Sequence, residues 1–107
     1  MAYYLFQGSY TAEALATLIE KPQNRIEIVA KAIEKLGGRL VGGWFCFGEY
    51  DVVLISELPD NVSAAAFAVA AAAGGALKAN KTTPLLSSDE MLQMFNKAGK
   101  SGYRPPQ

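Results

Sequence analysis

Two strongly apolar runs, residues 40–47 and 52–55, flank the short polar segment Gly48-Glu49-Tyr50-Asp51. That arrangement predicts a β-hairpin, because glycine supplies a positive φ and Asp accepts turn amides where the chain must reverse. Side chains alternate along a strand, so the hairpin register decides which residues share a face. Trp44 and Cys46 then oppose Phe45 and Phe47, Val52 and Leu54 oppose Val53 and Ile55, and in an N-terminal strand Tyr4 and Phe6 oppose Tyr3 and Leu5. Both faces are apolar, whereas a sheet with helices on one side ordinarily shows a polar alternate face. Whatever this chain folds into must cover the sheet twice.

The remaining elements follow from local signals. Residues 3–9 form the first strand, and Thr11, with Glu13 in the first turn, caps a helix carrying Leu15, Leu18 and Ile19. Lys21-Pro22-Gln23 interrupts it, since proline lacks a donor and disfavours helix in the preceding residue. Asn24 and Glu27 open a second helical segment with Ile26, Val29, Ile33 and Leu36 at helical spacing, stopped by Gly37-Gly38. Strands are expected over 39–47 and 52–56. Asp60 and Asn61 then cap a helix over 62–73 that is almost wholly alanine and uncharged around its circumference, which predicts burial on all sides. A last strand over 76–83 carries Lys78 and Lys81 as edge protection and stops at Pro84. Ser87-Ser88-Asp89-Glu90 is a capping box for a helix expected to bury Met91, Leu92 and Phe95.

Strand, helix, strand, strand, helix, strand is the ferredoxin-like βαββαβ order. The fold class is therefore α+β: a four-stranded antiparallel sheet with its helices on one face, plus a C-terminal helix, in a single domain over residues 1–98 with a mobile tail over 99–107. The second face needs the C-terminal helix, another subunit or an apolar ligand, because an open patch of that size invites aggregation. A homo-oligomer formed through the sheet face is expected. Gly42-Gly43 inside a strand marks a bulge or a close approach, and a second subunit crossing there is the expected cause.

Composition removes several functions. Ten Lys plus Arg balance ten Asp plus Glu, so no net field draws the chain to nucleic acid or an anionic membrane, and neither is expected as a partner. With no histidine there is no ordinary general base at neutral pH, and the commonest metal ligand is missing. One cysteine makes neither an internal disulfide nor a metal site, so no cofactor is expected and a reducing, cytoplasmic setting fits. The N-terminal residues do not read as a signal peptide, and no apolar run reaches the roughly 20 residues of a membrane span.

Gly48-Glu49-Tyr50-Asp51 also resembles the Gly-x-Tyr-Asp signature of the GYD-domain proteins. Gly8-Ser9-Tyr10-Thr11, Leu36-Gly37-Gly38, Leu58-Pro59-Asp60 and Thr83-Pro84-Leu85-Leu86 match that family's element junctions in order, from about Tyr3 to Ala98. The resemblance implies a ferredoxin-like relative of the dimeric α/β-barrel proteins. It brings no agreed catalytic residues.

Candidate ligand-binding residues are Tyr4, Tyr10, Arg25, Trp44, Tyr50 and Asp51. The aromatic rings offer stacking surfaces for a small apolar or aromatic molecule, Arg25 an anion partner, and Asp51 a base or polar anchor. Each has a plainer role in packing or turn formation. Cys46, between two phenylalanines, is expected to be an inert buried residue. The leading expectation is a non-catalytic, homo-oligomeric small-molecule binder. The alternative is a cofactor-independent oxygenase or isomerase of the dimeric α/β-barrel type that uses Asp51 as base and Tyr50 or Tyr10 to orient substrate.

Overall fold

A computed structural model describes residues 1–106 of the chain. The elements are β1 (Ala2–Tyr10), α1 (Ala12–Glu20), α2 (Arg25–Lys35), β2 (Arg39–Phe45), β3 (Val52–Leu58), α3 (Asn61–Ala73), β4 (Leu77–Leu85) and α4 (Ser88–Gly99). The four strands form one antiparallel sheet in the order β2-β3-β1-β4, which is the expected ferredoxin-like α+β arrangement. The sheet is open. Its edges, β2 and β4, do not pair, so the chain by itself is not a closed α/β barrel.

The capping residues are those the sequence marks. Thr11, Asn24, Asp60 and Ser87 each accept a main-chain amide at the start of their helix, and Ser87 with Glu90 completes a reciprocal capping box. Gly37, with φ of 87°, supplies the left-handed residue that ends α2.

The core lies between one sheet face and the helices. Tyr4 and Phe6 of β1 and Val52, Leu54 and Leu58 of β3 are buried with Ile33 of α2 and Ala64 and Phe67 of α3. Phe6 and Phe67 meet edge to face, their ring centroids 5.1 Å apart. The opposite sheet face carries Leu5, Val53 and Ile55, all half-buried, beside the exposed Tyr3 and Trp44. Among the described residues no helix lies across it. Every described residue from Leu86 onward is exposed, including Met91, Leu92 and Phe95. The radius of gyration, 17.0 Å, exceeds the roughly 13 Å of a compact chain this long. So α4 does not bury its apolar stripe within its own chain, because it leaves the edge strand β4 rather than folding back over the sheet.

Other expectations need correction. The alanine-rich α3 is not buried all round: Ala64 and Phe67 are buried, whereas Val62 and Val69 are 77% and 67% exposed. A one-layer helix cover leaves its outer side to solvent whatever its composition. Pro84 does not end β4 but sits inside it opposite Tyr4, tolerated because an edge strand has one side without ladder bonds. β2 ends at Phe45, so Cys46 and Phe47 belong to the loop, and Cys46 is exposed rather than buried. The bulge falls at Val41, between Leu40 and Gly42, while Gly42 and Gly43 pair regularly with Ile55 and Leu54, and the chain itself crowds the glycine pair. A Cβ on Gly43 would meet Leu54 and Ile26 of α2, and one on Gly42 would meet the Trp44 ring. The described part of the tail, residues 100–106, has no helix or strand, and Gln107 lies outside the described residues. Among the described residues no helix is long and apolar enough to cross a membrane.

Candidate functional site

The hairpin loop and the end of β1 interlock. The Asp51 main-chain amide donates to Gly8 O at 2.8 Å, and the Tyr10 amide donates to Asp51 Oδ2 at 2.9 Å. The Ser9 hydroxyl donates to Glu49 O at 2.5 Å. Within the loop, the Cys46 amide donates to Asp51 O and the Cys46 thiol to Tyr50 O. Gly48 holds φ of 127°, a conformation that favours glycine. The loop thereby anchors the point where β1 turns into α1, and the Asp51 carboxylate spends one oxygen on that anchor.

Tyr10 carries this anchorage into a cleft. α2 packs on β2 while α3 packs on β4 and β3, so the two helices lie apart on one sheet face. Between them lies a cleft of about 430 Å³. Its floor is Phe6, Val52 and Leu54; its walls include Ile26 and Val29 of α2 and Ala66, Phe67, Ala70 and Ala71 of α3. Tyr10 and Arg25 close one end, where they also border a shallower depression of about 350 Å³ beside α1. Both volumes fall in the range of small-molecule sites.

Burial pushes the Tyr10 phenol above its ordinary pKa, although the neighbouring Arg25 guanidinium pulls the other way; Asp51 adds to the rise. Tyr10 therefore remains a protonated hydrogen-bond donor at neutral pH. Arg25, half-buried at the first position of α2, holds its guanidinium beside that phenol and donates to Gln23 Oε1 at 3.1 Å.

Of the six candidate residues, the fold brings Tyr10, Arg25 and Asp51 together and separates the rest. Tyr4 is a core residue whose hydroxyl donates to Asn61 Oδ1 at 2.8 Å. Trp44, 57% exposed, stands on the opposite sheet face. Tyr50 is half-buried in the loop and borders neither cavity. The cleft lies on the helix-covered face, whereas the sequence reading looked for a ligand on the other. Its alanine wall was missed, although the signal was present: an uncharged run of small side chains on a helix over a sheet leaves space instead of filling it.

A family model described as GYD domain matches residues 4–95. Among solved structures, one titled crystal structure of FFRP-DM1 is 13% identical, covering 80% of this chain and all of that one, with a TM-score of 0.49. An uncharacterized NIPSNAP domain protein from Burkholderia xenovorans is 19% identical, covering 82% of this chain and 95% of that one, with a TM-score of 0.47. Curated proteins give no match.

Proposed function

The chain belongs to the GYD-domain family, and within it we propose a homo-oligomeric, non-catalytic protein that binds a small apolar or aromatic molecule. The observation that carries this reading is the cleft of about 430 Å³ between α2 and α3, apolar in its floor and walls and polar at one end through Tyr10 and Arg25. A few polar groups converging on an apolar concavity is the usual composition of a ligand site.

Self-association has separate support. The uncovered sheet face presents Tyr3, Leu5, Trp44, Val53 and Ile55 side by side, and α4 leaves it bare. Pairing two such faces removes both from water at about 25 cal/mol per Å² of apolar surface. The exposed thiol of Cys46 suits a reducing, cytoplasmic setting.

The catalytic alternative has less support. Asp51 Oδ2 is held by the Tyr10 amide, and neither Asp51 nor Tyr50 borders the cleft. Light scattering on the eluting protein tests the assembly. A multiple of 11.4 kDa is expected for the wild type and a shift towards the monomer for Ile55→Lys; a wild-type monomer at micromolar concentration overturns it. Titration with 1-naphthalenemethanol and decanol tests the cleft: heat of binding is expected with the wild type and is expected to vanish in Ala70→Leu, whose larger side chain occupies the space.

A further inference from the structure

The charges that line the cleft itself are of one sign, with Glu13 on the depression beyond Tyr10 and Arg25. Among the described residues, the charged side chains that line it, Arg25 and Lys35, are both cations, and no carboxylate joins them. In a chain whose acids and bases balance overall, that is a local selection of sign. Asp51, the nearby acid, is held by the Tyr10 amide outside the lining. Arg25 and Tyr10 line the same end of the cleft and share the depression beyond it, with the guanidinium close enough to act on the phenol. Both present N–H or O–H groups, and a guanidinium with an adjacent hydroxyl suits the two oxygens of a carboxylate.

We propose that the cleft takes an apolar monocarboxylate, its hydrocarbon or aromatic body between α2 and α3 and its carboxylate on Arg25 and Tyr10. This rests on the small-molecule reading above and names the ligand class. The size fits: at about 30 Å³ per water-sized group, 430 Å³ admits a molecule of roughly fourteen non-hydrogen atoms. The walls fit as well. Ala66, Ala70 and Ala71 offer a smooth, unbranched surface on one side, and Ile26 and Val29 offer bulk on the other. A neutral molecule fills the same volume but offers Arg25 no counter-charge, so the anion gains a charge-assisted hydrogen bond that the alcohol lacks.

The test is calorimetric titration of the full-length protein with two matched pairs, decanoate against decanol and 1-naphthoate against 1-naphthalenemethanol. The wild type is expected to bind the acid of each pair about 10- to 100-fold more tightly than its alcohol, the range of a charged hydrogen bond. Arg25→Gln is expected to abolish that preference while leaving alcohol affinity within about twofold, and Arg25→Lys to restore part of it. Preference for one acid over the other tells a chain-like ligand from a planar one. Equal affinity for acid and alcohol in the wild type, or an acid preference that survives in Arg25→Gln, overturns the carboxylate assignment and leaves the apolar cleft standing. Failure of all four probes overturns both readings. Circular dichroism of Arg25→Gln guards against misfolding, and loss of acid preference in Tyr10→Phe is an independent arm.

Discussion

Asp51 Oδ2 accepts the main-chain amide of Tyr10 at 2.9 Å, and through that bond the hairpin loop holds the strand-to-helix junction on which the cleft's polar end is built. The bond joins residues far apart in sequence, and the donor belongs to a residue buried in the body of the protein. Asp51→Ala leaves that amide without its acceptor. We expect a loss of about 1 to 3 kcal/mol, the cost of an unsatisfied buried donor, and a smaller loss for Asp51→Asn, whose carbonyl still accepts. Urea unfolding followed by circular dichroism measures both; equal midpoints for all three proteins would show that the bond contributes nothing.

Gly38 is sterically committed in a way that its turn neighbour Gly37 is not. A Cβ at position 38 would run into the carbonyl oxygen of Glu57 and the Leu58 side chain. The carbonyl belongs to β3, which is fixed between β1 and β2, so the backbone has little room to withdraw. Gly38→Ala is expected to destabilise by about 1 to 3 kcal/mol through overpacking. A thermal midpoint equal to the wild type would show that β2 shifts freely.

Much of the fold was legible in the sequence because it is written locally. Thr11, Asn24, Asp60 and Ser87 act within three residues of themselves, and the alternation along residues 3–9 and 52–56 fixes a face wherever a strand forms. What could not be read depends on packing between distant elements. Uncharged composition suggested that α3 is buried on every side, but only its position in a single helical layer exposes Val62 and Val69. Nothing local to α4 says that it leaves its own sheet uncovered. Of the candidate site, Tyr10, Arg25 and Asp51 were recognisable as residue types, but their meeting depends on the hairpin loop docking on the end of β1 and on where α2 begins. The cleft itself has no motif, since space is made by side chains that are absent.

Thr82 points the other way in energetic terms. Its hydroxyl is buried without a hydrogen-bond partner among the described residues, on the sheet position opposite Phe6. Replacing the hydroxyl by a methyl group of nearly the same shape removes an unpaired polar atom and adds apolar contact. Thr82→Val is expected to stabilise by about 1 kcal/mol, helped by the strand preference of valine. An increase in the urea midpoint without a change in slope confirms it. A decrease would mean that the hydroxyl has a partner in solution.

Acid should weaken the fold at two helix starts. The Asp60 carboxyl is held below its ordinary pKa by the Ser63 amide it caps, and the Glu90 carboxyl by the Ser87 amide in the capping box. A carboxyl that titrates lower in the folded state binds fewer protons there than in the unfolded chain. Its contribution is therefore complete above the ordinary carboxylate range, near pH 4, and is lost as the pH falls through the folded-state values. Stability should be level from pH 7 to about 5 and decline below that. Asp60→Asn keeps a capping oxygen that does not titrate, so its decline should be shallower than that of the wild type, as should that of Glu90→Gln. The two helices differ in what they support: α3 contributes Ala64 and Phe67 to the core, whereas α4 contributes no buried residue. Asp60→Asn should therefore flatten the pH dependence of global unfolding, and Glu90→Gln mainly that of helical signal. Parallel pH profiles for all three proteins would assign the acid response to other carboxyls.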